Sequence, residues 1–283
     1  MVQKVNVTLD DVSPLINYSP PEAWGAGSTT KDPYGQFYDH NGTFTLTTQF
    51  GASASMTFNG TGVWIYGAKR DNHGPYNTTL DGRTSSDTGY SSINLLQRVL
   101  FSGTGLASGN HTVSIVNSLV DNSKPYLDID SIVYEVEVPD GYGKFTEDDT
   151  ADAFQFSPSA WSIYPEDLSN YSNGTGHVTS APDARVVYTF EVGVYLIGSL
   201  IYGAVGPMNG VYTVQVDNGD SFTFNGIKDN LIPKTLLYQN NNLAPGRHTV
   251  NISNSPFAGQ TLSIDYAVIY RSPSTGWVHL RDP

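Results

Sequence analysis

The chain has 283 residues, with 27 Asp and Glu against 14 Lys and Arg, a net charge of −13 and no cysteine. A duplex carries one negative charge per about 1.7 Å of axis, so a chain of this sign is repelled by nucleic acid and by anionic membranes. The missing cysteine removes disulfides, thiolate nucleophiles and cysteine–zinc sites together.

Taken in order, the chain opens with "MVQKVNVTLDD", which has no apolar signal core, and nowhere does an apolar run approach the roughly 20 residues that span a bilayer. No transmembrane segment is expected. A long connection follows, "EAWGAGSTTKDPYGQFYDH" at 22–40, and connections of that length in a folded domain are commonly functional. Next come "FNGTGVWIYG", a loop "AKRDNHGP", a strand ending "LDG", and then "VLFSGTGLASGNHTVSIVN" and "YLDIDSIVYE". These are short β-branched and aromatic runs separated by Gly, Asn, Asp and Pro, the pattern of an all-β chain. His111, Val113 and Ile115 alternate with Thr112, Ser114 and Val116, so the two sets face opposite sides of one strand.

The same elements then return. "LASGNHTVSIVN" at 106–117 matches "LAPGRHTVNISN" at 243–254, and "IYGA" at 65–68 matches "IYGA" at 201–204. "LDID" ending at Asp130 matches "LSID" ending at Asp265, and "SPPEAW" ending at Trp24 resembles "SPSAW" ending at Trp161. Tyr76 with "YNTTLDG" corresponds to Tyr212 with "YTVQVDNG". Islands in one order at nearly constant offset mark a tandem duplication. The expected organisation is a tandem repeat of two antiparallel β-sandwich (jelly-roll) domains, residues 1–138 and 150–273, with an acidic linker at 139–149 and a C-terminal tail at 274–283.

The Gly-Thr-Gly turn, the Leu-Asp-Gly turn and the Gly-x-His-Thr-Val element resemble the galactose-binding-like β-jelly-roll family of carbohydrate-binding modules. Across both halves the chain also resembles tandem ectodomains of fungal surface proteins. The second copy departs from the pattern, because "EVGVYLIGSLIYG" lacks the "GTG" turn. The resemblance implies a binding module for a glycan or cell-wall polysaccharide, with ligand loops at one end or edge of the sandwich. It also implies a structural calcium ion in some members.

The first candidate site is the loop tip where scarce charge is gathered: Lys69, Arg70, Asp71, Asn72 and His73, flanked by Tyr66 and Tyr76. Arg, Asp and Asn supply the hydrogen-bonding groups that vicinal sugar hydroxyls require, and tyrosine supplies a face for the C–H side of a ring. The twin loop, "VGPMNGV", has lost every charged group. The second candidate is the 22–40 connection, where Tyr34 and Tyr38 are contact residues, Lys31, Asp32 and Asp39 add polar groups, and Trp24 plugs the sandwich end. His111 and His248 read as core histidines bonded to a neighbouring carbonyl. Asp130 and Asp265 are equivalent, which favours a repeated structural role, either buried hydrogen bonding or a single calcium ligand.

Nine sequons begin at Asn6, Asn17, Asn41, Asn59, Asn77, Asn110, Asn170, Asn173 and Asn251. They favour a secreted or cell-surface glycoprotein over a cytoplasmic one, with Asn110 and Asn251 expected on exposed positions. The leading functional expectation is non-catalytic, lectin-like glycan binding. Two alternatives stand beside it: a carbohydrate-active enzyme using carboxylates in the cleft between the units, and an adhesive surface protein without a small ligand.

Overall fold

A computed structural model describes residues 1–27, 29, 32–38, 42–118, 123–163, 168–192, 199–255 and 257–271. Asn41, Lys31, Asp39 and the tail 274–283 lie outside the described residues. The first half carries β1 (Val2–Asp10), β2 (Asn17–Ser19), β3 (Trp24–Ala26), β4 (Thr45–Thr47), β5 (Ser53–Lys69), β6 (Pro75–Leu80), β7 (Arg83–Thr88), β8 (Leu95–Asn117), β9 (Leu127–Ile129) and β10 (Ser131–Pro139). The second carries β11 (Gly143–Asp148), β12 (Phe154–Phe156), β13 (His177–Thr179), β14 (Arg185–Val192), β15 (Ser199–Val205), β16 (Val211–Val216), β17 (Ser221–Asn225), β18 (Ile232–Asn240), β19 (Gly246–Asn254) and β20 (Leu262–Arg271). Among the described residues there is no α-helix, only short 3-10 turns, and the chain is all-β.

The halves share a topology. In the second, one sheet runs β11-β20-β15-β18, with β13 also on β20, and the other runs β12-β14-β19-β16-β17. In the first, the order β1-β10-β5-β8-β6-β7 joins both layers, because β5 and β8 are long enough to run through each. Their pairing slips between Gly60 and Gly62, between Ile65 and Tyr66, and between Gly67 and Lys69, and such bulges bend and twist a ladder. Strand alternation supplies the core directly: in β10 the residues Ile132, Tyr134, Val136 and Val138 are buried on one side.

The recurring "IYGA" has a steric origin. A Cβ on Gly67 would lie 2.4 Å from the carbonyl oxygen of Asp128, and one on Gly203 would lie 2.0 Å from that of Ser263. Two backbones meet closely there in each unit, and only glycine leaves the room. The Asp81–Gly82 turn between β6 and β7 has both residues in the left-handed region, at φ 48° and 79°, as tight hairpin turns require.

No described strand pairs across the boundary between residues 139 and 143. The segment 139–149 differs from its expectation: Gly143–Asp148 is a strand, paired with β20 from Gly143–Arg271 to Asp148–Tyr266. Its charged residues alternate with half-buried ones at the sheet edge, which in sequence looks like an exposed linker. The halves are also packed together. Leu200, Leu236, Val268 and Tyr270 belong to the core cluster of the first half, and Val12 belongs to that of the second. Ser13 Oγ donates to the Leu236 carbonyl at 2.8 Å, and Asn241 Nδ2 donates to the Asn59 carbonyl at 2.5 Å. Burying one such aliphatic side chain contributes about 1.5–3 kcal/mol, so the shared apolar set outweighs these few hydrogen bonds.

Candidate functional site

Two turns occupy the same place in the two halves, and their backbones are bonded alike. His73 N donates to Arg70 O at 3.3 Å, and Asn209 N donates to Gly206 O at 3.1 Å. Arg70 N to Gly89 O matches Gly206 N to Gly226 O, and Gly74 N to Tyr126 O matches Gly210 N to Thr261 O. Tyr126 N to Asn72 O and Thr261 N to Met208 O complete the match. The turn therefore forms without Arg70, Asn72 or His73, whose counterparts are Gly206, Met208 and Asn209. Those three side chains are additions to a turn whose backbone bonds recur without them.

In the first half they meet the other loop. Both terminal nitrogens of Arg70 contact the carboxylate of Asp32, with Nη2 3.3 Å from Oδ1, and its guanidinium carbon lies 5.3 Å from the Tyr34 ring centroid. Burial alone would lower the Arg70 pKa, and the Asp32 carboxylate more than offsets it, so the pKa is raised. The Arg70 Nε is buried with no acceptor among the described residues. His73 lies deeper, its Nε2 2.9 Å from Asp128 Oδ2 and its Nδ1 2.8 Å from Asn72 Oδ1. Asp128 also accepts from the Tyr38 hydroxyl at 2.7 Å and from the Ala68 N–H at 2.6 Å. Burial would raise the pKa of Asp128, but the His73, Tyr38 and Ala68 contacts outweigh it and hold the carboxyl below its usual value.

Asp32, Arg70, Asn72, His73 and Asp128 line a cavity of about 420 Å³, with Phe44, Tyr126 and Pro33 as its apolar wall, while Tyr34 and Tyr38 stand behind Arg70 and Asp128 outside the lining. A few convergent polar groups in an apolar frame of this size suit a small ligand. The arrangement offers donors and a planar fork rather than a free base: both ring nitrogens of His73 are engaged, and Asp128 and Asp32 already hold partners.

The two loops that the sequence presents as alternatives thus form one site. Tyr34, Tyr38, Arg70, Asn72 and His73 come together there. Four other expected contacts do not. Tyr76 is fully buried, its hydroxyl donating to Leu100 O at 2.8 Å as Tyr212 donates to Leu237 O at 2.6 Å, so it belongs to the core. Tyr66 sits in β5 opposite Ser131, away from the cavity wall. Lys69 pairs with Asp87 at 3.1 Å outside the cavity, since strand alternation sends it to the opposite face from Ala68. Asp71 is exposed, and its carbonyl accepts from Lys124 Nζ at 3.3 Å. Phe44 and Tyr126 are the members that sequence reasoning left out, and Asp128, two residues before Asp130 on the same strand face, is the one it does not join to the loop tip. The signal for Asp128 was its replacement by serine at 263 within an otherwise repeated "LDID" and "LSID".

His111 and His248 are equivalent brackets. Each Nδ1 meets an aspartate, Asp81 at 2.6 Å or Asp217 at 2.7 Å, and each Nε2 meets the carbonyl of Ala107 or Ala244. Trp24 and Trp161 differ: the Trp161 indole N–H donates to Arg185 O at 3.1 Å, whereas that of Trp24 is buried without an acceptor among the described residues. Of the described sequon residues, Asn6, Asn17, Asn110, Asn170 and Asn173 are exposed, while Asn59 and Asn77 are half-buried. Asn251 does not stand on an exposed position. It lies in β19 between Val187 and Gln215, half-buried with its Oδ1 covered, because β19 is an inner strand flanked on both sides.

Asp11 and Asp149 occupy matching places in the two halves, their N–H groups donating to Asp130 O and Asp265 O. Asp11 receives the hydroxyls of Thr43 and Thr45, each at 2.7 Å, and Asp149 receives Thr175 at 2.9 Å and His177 at 2.5 Å. Among the described residues no group of three or more His, Asp and Glu side chains is placed to hold a metal ion. The enzymatic alternative places its carboxylates in the cleft between the halves. The larger cavity there, about 530 Å³, has Asp10 as the one carboxylate among its described lining. A smaller one, about 230 Å³, has Asp229 and the already bonded Asp11. Glycoside hydrolysis ordinarily uses two carboxyl groups facing one bond.

No family model matches the chain. It is 28% identical over 220 residues to the A type blood alpha-D-galactosamine galactosaminidase of Flavonifractor plautii, covering 75% of this chain and 19% of that protein. It is 36% identical over 90 residues to the A type blood N-acetyl-alpha-D-galactosamine deacetylase of the same organism, covering 32% of this chain and 11% of that protein. The chain therefore spans a fifth or less of the curated relatives it matches. Among solved structures it is similar to the CBM36-1 domain of a multidomain xylanase from the hindgut metagenome of Trinervitermes trinervoides, at 14% identity and a TM-score of 0.32, covering 45% of this chain and 96% of that one.

Proposed function

We propose that this chain is a glycan-binding module, secreted or cell-surface, which holds sugar in the cavity between the 32–38 and 70–73 loops of its first half and does no chemistry on it. The observation that carries this reading is the pair of turns. They share a backbone hydrogen-bond pattern, yet only the first places an arginine, an asparagine and a histidine against a buried aspartate and an aromatic wall. Side chains that the turn's own backbone bonds do not require, gathered around an unfilled Arg70 Nε donor, are what a polar ligand uses. Filled ring nitrogens on His73 and engaged carboxylates favour holding a sugar over cleaving it. The two relatives, named for enzymes acting on A type blood galactosamine, make galactosamine-containing glycans the first class to try.

The test is calorimetry with N-acetylgalactosamine, A type blood oligosaccharides and a panel of cell-wall polysaccharides, with product analysis in the same wells. A hydrogen bond to a charged group contributes about 1.5–3 kcal/mol, so Arg70→Ala should weaken binding roughly 10- to 150-fold. Met208→Ala in the twin turn should leave it unchanged. Equal binding by folded Arg70→Ala, or release of a cleaved sugar, sinks the reading.

A further inference from the structure

The Ala26, Gly27 and Phe44 wall of the tip cavity is also a wall of the smaller 230 Å³ cavity at the boundary between the halves. That neighbour is built from both halves. Tyr18 and Trp24 come from the first, with ring centroids 4.9 Å apart, and Asn225, Lys228, Asp229 and Asn230 come from the second. Two of its lining donors have no acceptor among the described residues. One is the Trp24 indole N–H, buried and unfilled where its counterpart in Trp161 is bonded. The other is the Lys228 ammonium, which lies 5.9 Å from the Tyr18 ring centroid. Burial pushes the Lys228 pKa down, and Asp11, Asp229 and Asp10 pull against it without an ion pair forming. The buried, unfilled Trp24 donor and the half-exposed Lys228 ammonium around one space, beside an aromatic pair, call for an acceptor-bearing ligand with an apolar face.

We infer that the site extends across the boundary: this second cavity is a subsite for the next residue of an oligosaccharide whose first residue lies at Arg70 and Asp32. Trp24 and Tyr18 face the ring, and hydroxyl or acetamido oxygens of the sugar receive the Trp24 and Lys228 donors. The second half of the chain thus supplies part of the binding surface although its own turn carries no site. This rests on the proposed glycan reading of the tip cavity.

The experiment compares N-acetylgalactosamine with the A type blood trisaccharide and tetrasaccharide by calorimetry, on wild type, Lys228→Met, Trp24→Phe and Arg70→Ala, with melting temperature as the check on folding. Wild type should bind the longer ligands more tightly than the monosaccharide. Lys228→Met and Trp24→Phe should each weaken the longer ligands about 3- to 10-fold, as loss of one hydrogen bond does, and leave the monosaccharide unaffected. Arg70→Ala should weaken all three. If chain length makes no difference, or if both boundary variants bind the longer ligands like wild type, the subsite is overturned while the tip site stands. If none of the three sugars binds wild type, this inference falls, and the polysaccharide panel alone then decides the tip site.

Discussion

His73 Nε2 lies 2.9 Å from Asp128 Oδ2, with side chains 3% and 2% exposed, so the loop tip is tied to β9 by a contact shut off from solvent. Asp128 in turn accepts from Tyr38 and Ala68. One carboxylate therefore holds the 70–73 turn, the 32–38 loop and β5 in register.

Removing that carboxylate should disturb all three. Removing one partner of a buried hydrogen bond leaves the other unsatisfied at about 1–3 kcal/mol, and Asp128 holds three such partners, His73, Tyr38 and Ala68. Asp128→Ala should lower unfolding stability by that order in urea. Ser263→Ala, at the equivalent place in the second half, should cost much less. Comparable losses from the two substitutions would show that Asp128 is an ordinary member of its strand.

Stability should fall as pH rises from 4 to 7. Asp265 is buried, with one oxygen receiving the Ser172 N–H and the other unfilled, and its pKa is pushed up to about 7, first by burial and then by Asp149 and Asp148. A carboxyl with a raised folded pKa holds its proton where the unfolded chain has released it. Unfolding is then favoured by increasing pH between about 4 and 7, by roughly 2–4 kcal/mol at most. Asp10 and Asp11 are shifted the same way, mainly by burial. Asp265→Asn should flatten the slope measured by urea unfolding at pH 5 and pH 8. An unchanged slope would remove Asp265 as its source.

The two histidine brackets should behave as one device used twice. Asp81 and Asp217 each accept from a backbone N–H, Thr112 at 2.9 Å and Thr249 at 2.8 Å, and each faces a histidine. Their pKa values are lowered: burial opposes the shift, and the histidine contact outweighs it. Asp81→Ala and Asp217→Ala should each lower the melting temperature by a similar amount, and the double substitution should lower it by their sum. A large difference between the two would break the equivalence.

Much of this was legible in the sequence, for a reason that also explains the misses. Turn and core residues recur because each copy needs them, so the repeat exposes "IYGA", the histidine brackets and the paired aspartates. A site confined to one copy leaves no echo. Asp128 and Tyr126 could be found only as places where the repeat fails, and their nearness to Arg70 depends on a turn brought back against β9. Tyr76 was misplaced for the converse reason: beside a charged loop it resembles a contact residue, but its twin Tyr212 makes the same buried hydrogen bond, which marks both as core. Gly143–Asp148 looked like a linker because an edge strand with exposed charges carries little apolar pattern.

Glycan attachment offers a separate check on compartment. If the protein passes through a secretory pathway, Asn6, Asn17 and Asn110, all exposed, should gain hexose mass in host-derived material. Asn251 should be modified less than these, since it is half-buried with its carboxamide oxygen covered. Unmodified mass at every sequon would instead favour a cytoplasmic protein.

Gly206, where the second turn has glycine in place of Arg70, sets a limit on symmetry. A Cβ there would stand 3.0 Å from the Cα of Leu231 and 3.3 Å from Asn209 Oδ1. An arginine can enter only if the backbone at Leu231 moves away, so grafting the first turn's side chains onto the second is not a matter of surface substitution. On the proposed reading, the chain offers one site of this kind among its two turns. Any avidity for a repetitive glycan has to come from several copies of the chain displayed together, with an effective concentration set by their spacing.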